Sequence, residues 1–475
     1  MKTSYVNRYT NIDVHDNITI HEELLNIEVQ GIITGKLGVM IIGLGGNNGS
    51  TFTAGLLAHK KKLQWENKDG IHNIEFLGSL VEFGSINIGY KKNKPCTKLI
   101  KDMVSLVSLD DIVISGWDIC SDDLYTACKN NKVIDINLLN QLKGDLKNIV
   151  PLKSVYYENF IATNQRSRVN NIKKYYNKNE DILNIQKDIQ NFKKENDLNQ
   201  VIVLWSGSTE RCTKNYVNID DLFNDVNSNS EDISPSIIFA IAAITSNCIF
   251  INTSPQNTIS TAIVNLAKQH NTFVGGSDLK SGQTKLKSVL IDYLTSAGLR
   301  PLSIVSYNHL GNRDGMNLDE TPQFQSKEIT KRNVIDDVID ENPKIFNGNK
   351  PDHTVIIKYI PSVGDSKRAI DEYFTELFLN GKNILSIYNL CEDSLLAVPI
   401  LLDIIIFSEF FSRVRINGDN FNSNLSLLSY FFKAPIEDVN HPTINAFFKQ
   451  LYAIKNFIKI CNGLPIDDFT NLHLR

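Results

Sequence analysis

Residues 36–54 read Lys36-Leu-Gly-Val-Met-Ile-Ile-Gly43-Leu-Gly-Gly-Asn-Asn-Gly49-Ser50-Thr-Phe-Thr-Ala54. The run 37–42 is apolar, with the length expected of a strand buried on both faces. Glycines follow at once, and a helical pattern opens at Ser50. Glycine lets the backbone turn sharply and approach a pyrophosphate, whose charge then meets the N–H groups and dipole of the helix start. The spacing Gly43, Gly45, Gly49 is one residue longer than G-x-G-x-x-G. Glycines alone are a weak signal. The strand–turn–helix setting points to a dinucleotide site, against the alternative of a tight turn without a ligand.

The same rhythm continues outward from this unit. Strand patterns lie at 37–42, 74–80, 111–115, 201–205, 248–252 and 272–275, with helical patterns at 50–62, 122–131, 181–195, 235–246 and 259–270. Ser234 before Pro235 supplies an N-cap and a proline at the first helical position. The alternation predicts an α/β fold with a doubly wound parallel sheet. Glu82 stands near the end of the second expected strand, where such folds place an acid against the adenosine ribose. The alternative for Glu82 is a solvated loop carboxylate. After about residue 285 the rhythm changes. Strand patterns at 303–308, 354–359 and 383–388 flank helical patterns at 334–341 and 367–379, which predicts a second α+β layer inserted into the first domain. Helices return at 395–411 and 446–461.

Composition narrows the function classes. The chain has 475 residues, a net charge of −4, 42% hydrophobic and 21% charged residues. That is an ordinary globular balance, with room for about two or three domains, and it gives no electrostatic case for nucleic acid or an anionic membrane. Seven cysteines, without a C-x-x-C pair, argue against a disulfide framework and a structural zinc site. The histidines form no H-E-x-x-H, so no metal is expected, and no G-x-S-x-G occurs to anchor a serine hydrolase. Residues 1–30 are polar and carry acids, unlike a signal or transit peptide. The apolar stretch 394–407 is broken by Pro399 and Asp403 and falls short of the ~20 residues that span a bilayer. The expectation is a cytoplasmic protein with a buried helix there.

Three segments place lysines beside polar turns. In Gly275-Gly-Ser-Asp278-Leu-Lys280-Ser281-Gly-Gln-Thr284-Lys285, residues Ser281, Gly282, Gln283 and Thr284 could offer a helix start to a phosphate. Lys327 and Lys331 lie four apart on one helical face, where like charges repel unless an anion sits between them. Gly364-Asp-Ser-Lys367 is the third. A lysine among other cations, or desolvated, has a lowered pKa and can serve as acid or base. Taken singly, each reads as a solvated surface charge, and spacing alone does not show that the three segments converge.

In this order the segments resemble the eukaryotic myo-inositol-1-phosphate synthases. The matching stretches are GLGGNNGS (43–50), GWDI (116–119), SPQNT (254–258), LKSGQTKLKSVL (279–290), SIVSYNHLGNRDGMNL (303–318), SKEITK (326–331), VIIKYIPSVGDSKRAIDEY (355–373) and CEDSLLAVPI (391–400). The resemblance runs from about residue 35 to 465. It implies conversion of D-glucose 6-phosphate to 1D-myo-inositol 3-phosphate, the first step of inositol and phosphatidylinositol synthesis, with tightly held NAD. The implied cycle oxidises C5, enolises at C6, closes the ring by an aldol step and returns the hydride. It further implies a homotetramer and a Rossmann-type sheet split by an inserted catalytic and tetramerisation domain. The boundaries are then 1–33 for an N-terminal segment, 34–283 for the NAD-binding domain, 284–397 for the insertion and 398–475 for the C-terminal return.

Carried over by position, the resemblance implies that Lys327 is the acid–base partner at the C5 hydroxyl and that Lys367 and Lys449 polarise or protonate sugar oxygens. Lys331 grips the phosphate with Ser281, Gly282, Gln283 and Thr284, while Asn308 and Leu310 line the substrate. Asp278 matches an active-site aspartate, and Asp393 with Ser394 an acid–serine pair near the nicotinamide. The cofactor set is Gly43, Leu44, Gly45, Gly46, Asn47, Asn48, Asp118, Gln165, Arg168, Ser206, Gly207, Ser208, Thr209, Thr253, Ser254, Asp278, Asn312, Asp314, Gly364, Asp365, Asp393 and Ser394. The resemblance also implies that the substrate phosphate itself serves as the base at C6. Departures from the family pattern fall at Ser206-Gly207-Ser208, Thr253, Ser277, Arg313 and Leu451. The competing readings are a net sugar-phosphate dehydrogenase that releases NADH and a degenerate dinucleotide-binding protein with a scaffolding or sensing role.

Overall fold

The computed structural model describes residues 1–467 apart from 14, 33–34, 93, 174–176, 422–423 and 437–443. The chain begins with an antiparallel hairpin of β1 (Lys2–Ile12) and β2 (Ile18–Val29), whose Ile27 and Val29 join the main core. It then enters β3 (Lys36–Ile42), whose residues 37–42 are buried as a strand covered on both faces must be. Helix α1 (Asn47–Lys60) follows the glycine turn. The next strands are β4 (Ile112–Asp118), β5 (Leu152–Lys153), β6 (Leu198–Trp205), β7 (Ile249–Asn252) and β8 (Val274–Gly275). Their order across the sheet is β8-β7-β6-β3-β4-β5, with every pair parallel. The chain therefore winds to one side of β3 through β4 and β5, then crosses to the other through β6. Such a reversal opens a crevice at the carboxyl ends of β3, β4 and β6.

Helix α2 (Gly282–Ser296) leads out of this sheet into β9 (Arg300–Leu310). Helix α3 (Thr321–Arg332) and strands β10 (Asp352–Tyr359), β11 (Ser366–Glu376) and β12 (Lys382–Glu392) complete a second layer. Its order is β10-β9-β11-β12, and β9–β10 is the parallel pair. Helix α4 (Asp393–Ser412) returns to the first core. It has the length and apolarity of a membrane span, yet Leu401, Leu402, Ile404, Ile405 and Phe407 have no exposed surface, as expected of a buried core helix. Strand β13 (Val414–Ile416) pairs with β2, and α5 (Phe447–Cys461) packs beside it.

Two expected elements are corrected. Residues 74–80 form no strand: the Leu80 and Val81 N–H groups and the Ser79 hydroxyl donate to the buried Asp403 carboxylate on α4, which starts a short helix, Leu80–Phe83. Backbone donors spent on a side chain are lost to a ladder. The second strand of the sheet is β4 instead. Segment 367–379, expected as a helix, runs as β11 up to Glu376. Ile370 and Phe374, four apart, imitate a helical stripe, but the buried residues are Lys367, Ala369, Asp371, Tyr373 and Thr375, every second position. Two of these are charged and two carry hydroxyls. Asp371 is tolerated inside because Gln283 Nε2 donates to it at 2.6 Å.

The hairpin and α4 are joined by one buried ion pair. Arg413 Nε donates to Glu409 Oε1 at 2.6 Å, and its other nitrogens donate to the carbonyls of Gln30 (2.8 Å) and Ser105 (2.6 Å). Removing one member leaves an uncompensated buried charge. Arg413→Ala is therefore expected to cost about 3–5 kcal/mol in denaturant unfolding; a loss below about 1 kcal/mol would mean the pair is relaxed by solvent.

Candidate active site

The crevice at the end of β3 encloses about 1400 Å³ counted out to its mouth. Its floor is the glycine turn. Gly43 has φ +84°, and a Cβ there would lie 2.7 Å from the Gly207 Cα, so only glycine lets these two loops meet. A Cβ on Gly49 would strike the Gly43 and Leu44 carbonyls at 2.7 Å. Asp118, at the end of β4, accepts the Gly45 N–H at 2.9 Å and holds the turn. Gly43, Gly46, Asn47, Asn48 and Asp118 line the space, whereas Leu44 and Gly45 support it from behind.

Three loops form the walls. After β6 come Ser206, Gly207, Ser208 and Thr209; Thr209 donates through its N–H (2.9 Å) and hydroxyl (3.2 Å) to Asp314. Thr253 and Ser254 follow β7, and the Thr253 hydroxyl donates to the Trp205 carbonyl at 2.6 Å. That bond folds the added bulk back against β6. Asp393 and Ser394 open α4; Ser394 donates through its N–H and hydroxyl to Asp365, which also receives Asn47 Nδ2 at 2.7 Å. Asp365 thus ties α1 to α4, and neither it nor Gly364 lines the space. Gln165 is likewise buried behind the wall, bonded to Asn164 and the Arg313 carbonyl, while Asn312, Asp314 and Arg168 face the crevice.

The residues present fit a dinucleotide. Buried polar groups are normally paired, yet Tyr156 Oη, Arg168 Nε, Trp205 Nε1 and Ser206 Oγ all border the crevice without a protein partner. They suit the phosphate and hydroxyl oxygens of such a ligand. Glu82 does not take part: it sits on the short helix after residue 79 and pairs with Lys101 at 2.8 Å.

The other end of the crevice is built around Asp278. Lys327 Nζ donates to its Oδ1 at 2.7 Å, Lys433 Nζ to the same oxygen at 3.1 Å, and the Thr330 hydroxyl to Oδ2 at 2.6 Å. Burial pushes the Asp278 carboxyl up, but Lys327 and Lys433 outweigh it and hold the group well below the usual carboxylate range. Burial likewise works against the Lys327 ammonium, yet Asp278, Asp314 and Asp393 raise it above the ordinary lysine value. Lys433 is pushed down to about 7, by burial first, with Lys327 and Lys367 adding to it. Lys331 is fully buried and donates to Asn308 Oδ1 at 2.8 Å. Burial, and then Lys367, Lys433, Lys287 and Lys327, hold it well below its usual value. Lys367, Leu310 and Ser281 border the same space; Gly282, Gln283 and Thr284 form the first turn of α2 just behind Ser281. Four lysines are thus gathered at this end of the crevice, and only two of them are paired with Asp278, which is a demand for an anion.

Lys449 is not brought to this place. It lies on the outer side of α5, with its side chain 46% exposed and paired with Glu341, while its neighbour Gln450 turns inward. The lysine that occupies the position is Lys433, absent from the sequence-derived set. Segment 431–434 runs beside 277–280: the Lys280 N–H donates to the Phe431 carbonyl and the Lys433 N–H to the Asp278 carbonyl, both at 2.7 Å. The sequence does carry a signal, a single lysine closing the apolar run 430–432 ahead of Ala434-Pro435. Leu451 then lies far from the chemistry, packed against the main core. Glu210 was also missed; it lines the crevice, accepts the Ser236 hydroxyl and is pushed by burial to about 7.

Residues 37–459 match the family described as myo-inositol-1-phosphate synthase. Over 446 residues the chain is 46% identical to an inositol-3-phosphate synthase of Dictyostelium discoideum, covering 91% of this chain and 87% of that protein. Over 440 residues it is 45% identical to the Brassica napus inositol-3-phosphate synthase, covering 90% and 86%. The crystal structure of inositol-3-phosphate synthase from Caenorhabditis elegans superposes with a TM-score of 0.95 at 39% identity, over 99% of this chain and 95% of that one. With a glycine-turn crevice and a lysine chamber on one Rossmann-type frame, the chain belongs to the myo-inositol-1-phosphate synthase family.

Proposed function

We propose that this chain is an NAD-dependent isomerase that converts D-glucose 6-phosphate to 1D-myo-inositol 3-phosphate. One observation carries the reading: the crevice bordered by the glycine turn is continuous with the chamber lined by Asp278, Lys327, Lys367 and Lys433. Gly43, Gly46, Asn47, Asn48, Ser206–Thr209, Thr253 and Ser254 hold the dinucleotide, with Asp393 and Ser394 at its nicotinamide end. NAD, when bound, supplies reversible hydride acceptance, so oxidation and reduction cancel over one turnover.

The chain's own residues do the rest. Lys331, Asn308 and the α2 start at Ser281–Thr284 grip the substrate phosphate, and Leu310 packs on the sugar. Lys327, hydrogen-bonded to Asp278, is the acid–base partner at the C5 oxygen: its neutral amine, the minor form, takes the hydroxyl proton on oxidation, and the ammonium that Asp278 favours returns it on re-reduction. Lys367 and Lys433 stabilise negative charge on the sugar oxygens during enolisation and ring closure, as preorganised cations in a buried site do. The phosphate held by Lys331 is the base at C6. The expected fate of a label tests this: glucose 6-phosphate deuterated at C5 should give inositol phosphate that keeps its deuterium. Loss of the label to solvent or to the free cofactor pool would contradict an internal redox cycle.

Self-association into a tetramer is part of the reading, as is a cytoplasmic setting. An exposed apolar row, Ile356, Tyr307, Ile370 and Tyr388, crosses all four strands of the second sheet in register, the kind of patch that marks a protein interface. Ile370→Lys is expected to shift the sedimentation profile from tetramer toward smaller species. An unchanged profile would place the contact elsewhere.

A further inference from the structure

Two guanidinium groups, of Arg168 and Arg313, border the dinucleotide part of the crevice. Arg168 comes from the β4 side and donates through Nη2 to Ser208 Oγ, on the β6 side, at 3.0 Å. It thus bridges the mouth above β3, and its Nε is buried without a partner. Arg313 opens the short helix Arg313–Asn317, close enough to Arg168 for the like charges to oppose each other. It is half-buried, and its side chain makes no hydrogen bond or ion pair among the described residues.

The nearby carboxylates do not satisfy these groups. Asp118 accepts the Gly45 and Cys120 N–H groups, and Asp314 accepts the Thr209 N–H and hydroxyl. Two planar forks with spare donors, held together beside the N-terminus of α1, match the geometry of phosphate oxygens. The bridge made by Arg168 lies over the middle of the crevice, at the strand-order reversal, where the diphosphate of a dinucleotide falls.

We infer that Arg313 acts with Arg168 as a clamp on the diphosphate bridge of the bound dinucleotide. The inference rests on the dinucleotide reading above and adds a residue outside the expected cofactor set. The test is calorimetric titration of the full-length chain and of Arg313→Ala and Arg313→Asn with NAD, ADP-ribose and adenosine. The Kd for NAD and for ADP-ribose should rise about ten-fold or more in both variants, with the difference shrinking at high salt. The Kd for adenosine should change by less than about two-fold. Equal losses for adenosine would show general damage to the crevice and overturn the clamp. So would a parent that binds NAD alongside variants of unchanged affinity. A parent that binds none of the three ligands overturns the dinucleotide reading and the clamp with it.

Discussion

Lys433→Met is expected to lower kcat by roughly a hundred- to ten-thousand-fold, the range for removing a positioned acid–base group, while leaving the Kd for NAD unchanged. The substitution keeps an unbranched stem and removes only the ammonium. Lys433 is almost wholly buried, and burial with its cationic neighbours pushes it to about 7, so in the resting protein it is a charge held at a cost. Replacing it should leave the melting temperature unchanged or raise it, because Asp278 keeps Lys327 as a partner at 2.7 Å. Activity and stability would then move in opposite directions, which separates a functional lysine from a structural one. Lys449→Ala is the companion. Its ion pair with Glu341 is exposed and worth ~0–1 kcal/mol, so turnover should stay within about three-fold of the parent. The reverse pattern, with Lys449 required and Lys433 dispensable, would restore the assignment drawn from sequence and refute the chamber described here.

Asp278→Asn is expected to destabilise the fold by about 3–5 kcal/mol near pH 6. Asparagine preserves the shape: its one amide oxygen can still accept from Lys327 and Lys433, and its Nδ2 can donate to the Thr330 hydroxyl, which keeps the Lys327 carbonyl as an acceptor, so the loss isolates the charge. The pH dependence has a definite sign. Burial lowers Lys433 to about 7 even with Asp278 beside it. A buried lysine whose folded pKa is depressed penalises folding while it is charged, and the penalty fades as pH rises from the folded value toward the unfolded ~10.4. Without Asp278 the cluster loses its counter-charge, so the cost should be largest below about pH 7 and smaller at pH 9. Urea unfolding at the two pH values measures this. A cost that is constant or grows with pH would mean that the lysines are not the groups Asp278 neutralises. Inorganic phosphate should recover part of the loss at pH 6, because an anion among the lysines replaces the missing carboxylate.

Much of the fold was legible from local pattern. Strands β3, β6, β7 and β8 are short apolar runs between turns, and α4 reads as a core helix because Pro399 and Asp403 interrupt it. What failed had a common cause, polar side chains placed inside. Strand β11 buries Lys367, Asp371 and Thr375, so its alternation is not one of hydrophobicity and a helical period shows through instead. Segment 74–80 runs into a helix start whose Leu80 and Val81 N–H groups go to Asp403, 323 residues away in sequence for Leu80. The candidate site divides the same way. The glycine turn, Lys327 and Lys331 are local motifs, and the resemblance carried most of the wall. Lys433 depends on a backbone pairing between segments 277–280 and 431–434, which no spacing within either segment announces.

The most direct measurement is phosphorus NMR of the purified protein with D-glucose 6-phosphate and a catalytic amount of NAD, with nicotinamide absorbance followed in parallel. The predicted result is inositol phosphate accumulating over many turnovers while absorbance from NADH stays flat. NADH rising in step with an oxidised sugar phosphate would contradict the account and make the protein a dehydrogenase; binding of both ligands without turnover would contradict it as well and leave the crevice a binding site only.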